Sequence, residues 1–201
     1  MKLTPKLLAA VLLAAAQIPA LAFASEPQQH FASALEAYAQ KNYQAAARDI
    51  HTAASELRRA ASRASGDARQ ALDSSVAELD RLADSVGKGT LGAEQSMRAG
   101  FAKAEHALAL EHRAKAAEAW SHKRYQQAGT ELKAAAGKLE SAAAWTGGEA
   151  KAGAAAAVSD ARALGDKLAS GAKWSRDEVA TGMKKLGSAI DALGREIASR
   201  G

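Results

Sequence analysis

From Tyr43 onward, apolar residues return at seven-residue steps as Tyr43, Ile50, Leu57 and Ala64. Ala46, Ala53 and Ala60 follow three positions after them, and Ala47, Ala54 and Ala61 four positions after. These steps put one stripe on one helical face, and a strict seven-residue repeat predicts a left-handed, bundle-like crossing. Leu72, Val76, Leu79, Leu82 and Val86 mark a further helix, and Met97, Phe101, Ala104 and Leu108 another. With Lys41-Asn42, Ser65-Gly66 and the glycines Gly87 and Gly89 as stops, helices are expected over 27–40, 43–64 and 67–86. No breaker interrupts the chain between about Ala93 and His122, which predicts one long helix there. Every stripe is amphipathic and none is apolar all round, so none should span a membrane.

The same pattern then returns at one constant offset without a gap. Tyr43 is matched by Tyr125, Gln44 by Gln126, Leu57 by Leu139, Gly66 by Gly148 and Val76 by Val158. Leu82, Asp84, Gly89 and Gly100 are matched by Leu164, Asp166, Gly171 and Gly182, and His30 by His112. Val179, Met183, Leu186 and Ile190 echo the stripe of the fourth helix, and Ser175 with Glu178 has the spacing of a capping box. A register of this length is one supersecondary unit used twice. The expectation is an all-α chain, a tandem duplication of an 82-residue four-helix unit. Unit 1 would span 25–110 and unit 2 111–201, forming antiparallel helical bundles joined by a long shared helix.

Composition sharpens this picture. Alanine fills 55 positions and no proline follows Pro27, as expected of a chain that is helical from end to end. There is no cysteine, which excludes disulfides, cysteine-ligated metal and thiol catalysis. Residues 1–24 read as a signal peptide: Lys2 and Lys6, an apolar run over Leu7 to Ala16, then Ala22-Phe23-Ala24. A membrane anchor is the competing reading, but the run is short and is ended by Gln17 and Pro19. The mature chain is expected to be periplasmic. Without the two leader lysines it carries 25 basic and 22 acidic side chains, a net charge of +3. The charges alternate along helix faces and no basic stripe interleaved with aromatics occurs, so a nucleic-acid partner is not expected.

The segments Ala37-Tyr38 … Lys41-Asn42-Tyr43-Gln44-Ala45-Ala46 and Ala119-Trp120 … Lys123-Arg124-Tyr125-Gln126-Gln127-Ala128 resemble the helix–turn–helix corner of a tetratricopeptide repeat. The resemblance covers about 30–50 and 112–132. The following helix runs past that family's length, and the period is 82 rather than about 34. It implies a helical hairpin with an interaction-type surface.

Candidate chemistry is sparse. His30 and His112 are equivalent under the repeat and could meet across a pseudo-two-fold axis to bind a metal or a haem iron. Neither belongs to a Glu-x-x-His arrangement, and the competing reading is a boundary histidine beside its aromatic neighbour. The pairs Tyr38 with Trp120 and Tyr43 with Tyr125 are read as packing anchors in preference to a ligand cage. Trp145 and Trp174 replace Arg63 and Gly92 of the first unit. At exposed corners they would face a partner; buried, they would staple the corners. No nucleophile elbow, phosphate loop or zinc-protease motif occurs.

The expected function is therefore an exported, non-enzymatic binding or adaptor module, an envelope stress or scaffold factor that contacts another envelope protein or a second copy. No cofactor is expected. The alternative is a metal- or small-ligand-binding protein, with haem as one ligand, using His30 and His112. An enzyme ranks last.

Overall fold

The computed structural model describes residues 27–89 and 94–200. The leader 1–24, Ser25 directly after it and the expected helix start at Ala93 lie outside them. The described chain is an all-α helical bundle of seven helices: α1 Pro27–Ala39, α2 Tyr43–Ala61, α3 Gly66–Gly87, α4 Glu94–Ser121, α5 Tyr125–Thr146, α6 Gly148–Ser170 and α7 Arg176–Arg200. None of them is long and apolar enough to cross a membrane.

The ends follow from local chemistry. Pro27 opens α1, where its missing N–H costs nothing. α1 stops because Lys41 turns to φ 59°, with its amide bonded to the Tyr38 carbonyl and the Asn42 amide to the Ala37 carbonyl. That is a Schellman ending with a lysine where glycine is usual. The turn recurs at Lys123 (φ 60°), with amide bonds from Lys123 to Trp120 and from Arg124 to Ala119. Asn42 then caps α2 by accepting from the Ala45 amide at 3.3 Å. α2 ends at Ala61, short of the expected Ala64, because the Arg63 amide reaches back only three residues, to Ala60. The capping box before α7 is half formed. The Glu178 amide donates to Ser175 Oγ at 3.1 Å, but the Glu178 carboxylate pairs with Lys167 instead.

Neighbouring helices in sequence pack side by side, and their large side chains gather in two cores. One holds Phe31, Ile50, Leu57, Leu72, Leu79, Met97 and Phe101; the other holds Leu132, Leu139, Leu168, Leu186 and Ile190. α4 serves both: Met97, Phe101, Ala104 and Leu108 face the first core, while Ala102, Ala109, Ala116 and Ala119 face the second. Helix starts recur at one spacing. α2 and α5, α3 and α6, and α4 and α7 each begin as far apart as Tyr43 and Tyr125.

The closest approach lies between α5 and α6. A Cβ on Gly129 would stand 2.5 Å from the Gly165 carbonyl oxygen and 2.8 Å from the Ala169 amide nitrogen. One on Gly165 would stand 2.7 Å from the Gly129 oxygen. Backbone therefore touches backbone, and at Gly129 the two nearest atoms belong to the main chain of α6 and cannot swing aside. Gly129→Ala is expected to destabilise by about 1–3 kcal/mol, although alanine is the better helix former. Exposed Gly153 has nothing within 4 Å of an added Cβ, so Gly153→Ala should stabilise by about 0.5–1 kcal/mol. Denaturant titration of both variants checks this, and shifts of the same sign would mean that the two helices are not in backbone contact.

Candidate functional site

His30 and His112 are each held by carboxylates of the helix that follows. His30 Nδ1 lies 3.7 Å from Asp49 and its Nε2 lies 3.8 Å from Glu56, both on α2. His112 donates from Nδ1 to Glu131 of α5 at 2.7 Å and lies 3.7 Å from Glu111. Asp49 and Glu131 stand at the same offset as the two histidines, so the repeat extends to the acid beside each. Among the described residues, no group of three or more His, Asp or Glu stands where a metal ion could be held.

Glu56, Glu111 and His112 line a pocket of about 260 Å³ between α2, α4 and α5, together with Arg59, Lys115 and Lys138. Charged groups lie unusually deep here. Glu111 is 2% exposed and Lys138 8%, and Lys138 pairs at 3.4 Å with Glu105, which is fully buried. Charge is costly to bury and is held only when paired. Sequence reasoning missed these residues. One signal was present: Glu111 falls seven positions after Ala104, on the apolar stripe of α4.

The aromatic pairs close the two equivalent corners. Tyr38 and Tyr43 rings lie 5.4 Å apart at 53°, and Trp120 and Tyr125 lie 5.2 Å apart at 54°. Trp174 adds an edge-on contact to both members of the second pair, at 5.2 and 4.8 Å. It is half-buried and staples that corner, which the first unit closes without a tryptophan.

Trp145 is different. It packs against both cores and meets the edge of Phe101 at 5.5 Å. It also lines a groove of about 620 Å³ formed by α3, the start of α4, the end of α5 and the end of α7. The Arg98 guanidinium stands over the indole at 5.7 Å. Arg98, Lys103 and Arg200 line the groove, and each is paired with a carboxylate: Arg98 with Glu94, Lys103 with Glu78 at 2.9 Å and Arg200 with Glu196 at 2.6 Å. Arg200 also donates to the Thr146 carbonyl at 2.7 Å, which ties the end of α7 to the end of α5. Apolar area comes from Trp145, Ile197 and alanines, so the groove pairs an apolar floor with a rim of ion pairs.

No family model, curated protein or solved structure matches the chain. Function must then be argued from these sites alone.

The groups whose protonation the fold shifts lie away from the groove. His106 of α4 donates from Nε2 to the Ile190 carbonyl of α7 at 3.0 Å, and its ring fills the space that a Cβ on Gly194 would occupy. Burial pushes its pKa below 6.5, and Arg113 adds to this; the carbonyl and Asp191 oppose it without prevailing. The unfolded chain thus takes up this proton first. The stability contribution is complete above pH 6.5 and is lost as pH falls below that value. For Glu131, burial works upward, but the hydrogen bond and charge of His112, with Lys115, hold the pKa below 4.5. Its contribution is lost in a lower window, below pH 4.5. Glu178 is likewise lowered, chiefly by its hydrogen bond to Lys167, on an exposed surface. Melting temperature should therefore fall between pH 7 and pH 5, and His106→Gln, which keeps a donor but does not titrate, should flatten that segment. An unchanged slope in the variant would show that His106 does not carry it.

Proposed function

We propose that this chain is an exported, non-enzymatic helical binding module that contacts another envelope protein through the Trp145 groove. In this reading it arose by duplication of an 82-residue helical unit, whose two antiparallel bundles share α4, with the signal peptide removed on export. The recurrence of helix starts, of the Lys41 and Lys123 turns and of the histidine–carboxylate pairs at one spacing supports the duplication.

One observation carries the functional reading: the groove is amphipathic, setting Trp145 and Ile197 beside the guanidinium groups of Arg98 and Arg200, each oriented by a carboxylate of its own helix. Its volume lies in the range of about 300–1,000 Å³ typical of ligand sites. A half-buried tryptophan beside arginine is the usual make-up of an energetically dominant contact. The groove belongs to the junction, because Trp145 stands where the first unit has Arg63.

The test is affinity capture from envelope extract with the mature protein, Trp145→Ala, Arg98→Glu and, as control, Arg48→Ala, an exposed position of α2 that does not line the groove. A partner retained by wild type and control but lost from both groove variants is the expected result. A partner held equally by all four would reject the groove as the contact. Stabilisation by zinc, copper or haem that disappears in the His30→Ala, His112→Ala double variant would favour ligand binding instead.

A further inference from the structure

At the end of the molecule away from that groove, the end of α4 meets the starts of α5 and α7. Trp120, Tyr125 and Trp174 stand there in mutual ring contact. We propose that this corner docks the protein on a membrane surface rich in acidic phospholipid headgroups. The groove lies at the ends of α5 and α7, and the 22 residues of α5 put about 33 Å between the two.

Charge at the corner selects the surface once every ion pair is set aside. Arg124 is held by Glu118 at 3.2 Å, and Glu178 is held by Lys167. Among the described residues, Lys123, Lys173 and Arg176 make no ion pair, and Asp177 is the neighbouring acid that makes none either. Three free cations therefore stand beside one free acid, all of them exposed. The three rings are half-buried, so apolar surface and cations reach solvent together. Tryptophan and tyrosine beside lysine and arginine is the make-up of residues that sit at a membrane–water interface.

The corner of the first half shows that the fold does not require this chemistry. Asn42, Leu91, Gly92 and Glu94 stand where the second half has Arg124, Lys173, Trp174 and Arg176. Each difference adds a cation or an indole, and two of them work against the helices. Asn42 caps α2 through the Ala45 amide, whereas Arg124 makes no side-chain cap on α5. Glu94 begins α4 with the negative charge that a helix start favours; Arg176 begins α7 with a positive one. A cation placed against the helix dipole, with no acid of its own, is accounted for by anions outside the chain. Acidic headgroups supply those anions, and the interfacial layer accepts the rings. No described helix is long and apolar enough to cross a membrane, so the contact is with the surface.

The test is flotation of the mature protein with vesicles of phosphatidylcholine alone and of phosphatidylcholine mixed with phosphatidylglycerol. Binding to the acidic vesicles only is expected, with release as salt is raised. The Lys173→Glu, Arg176→Glu double variant should bind at least about tenfold more weakly, while melting no lower than wild type because a glutamate suits the start of α7. Trp174→Gly, which restores the residue of the first half, should weaken binding at unchanged charge. Arg48→Glu with Lys184→Glu, two exposed positions away from the corner, matches the charge change and should bind as wild type. The proposal is overturned if acidic vesicles are bound no better than neutral ones, or if the corner double variant binds as tightly as its charge-matched control. It is equally overturned if soluble polyglutamate is bound as tightly as the acidic vesicles, which would make the corner a site for acidic protein segments.

Discussion

Phe101→Ala is expected to lower unfolding free energy by about 3–5 kcal/mol, at the upper end of large-to-small core changes. Phe101 is fully buried, stacks on Phe31 at 4.3 Å and 16°, and receives Trp145 edge-on at 5.5 Å. Aromatic residues make up only 4% of the chain, so each ring supplies a large part of its local core. The cavity would close poorly, because alanine neighbours such as Ala104 already bring the helices close and have no rotamers with which to fill it. Part of the loss is shared with Phe31. A double-mutant cycle should return a coupling of about 0.5–1.5 kcal/mol for the stacked pair. Because Trp145 packs on both cores, its fluorescence should shift to the red in Phe101→Ala as water reaches the indole. A cost below about 1 kcal/mol, or an unmoved spectrum, would show that the ring is not packed as described.

Much of the fold was legible because it rests on local rules. The seven-residue stripe from Tyr43 predicts α2, and the stop at Lys41-Asn42 is the turn that ends α1. The absence of a breaker before His122 predicts the long α4, which ends at Ser121. Where the reading overshot, hydrogen bonds decided: α2 unwinds after Ala61 through short bonds that no propensity foretells. The close contact of Gly129 with Gly165 was not legible either, because a glycine inside a helix reads as a weak position until its neighbour is known.

The candidate site was only partly visible. The repeat singles out His30 and His112, and both border the charged pocket, His30 through Glu56 and His112 directly. The repeat could not give the pocket's charges, since Glu56 of the first unit corresponds to Lys138 of the second. Equivalent positions with opposite charge meet only in the folded chain, at the seam between the halves. Trp145 stands out in the sequence as a departure from the repeat, but its place in a groove depends on α7, the last helix of the chain.

Lys138→Met is expected to cost about 3–5 kcal/mol at neutral pH, for a reason unlike that at Phe101. Methionine fills a similar volume, so little packing is lost. What changes is that fully buried Glu105 loses its ammonium partner at 3.4 Å. Replacing both members, as Glu105→Leu with Lys138→Met, should recover most of the loss, since a buried pair gains little over apolar side chains of similar size. Chemical denaturation of the two single variants and the double variant at neutral pH checks this, and a cost under about 1 kcal/mol for Lys138→Met would mean that water reaches the pair.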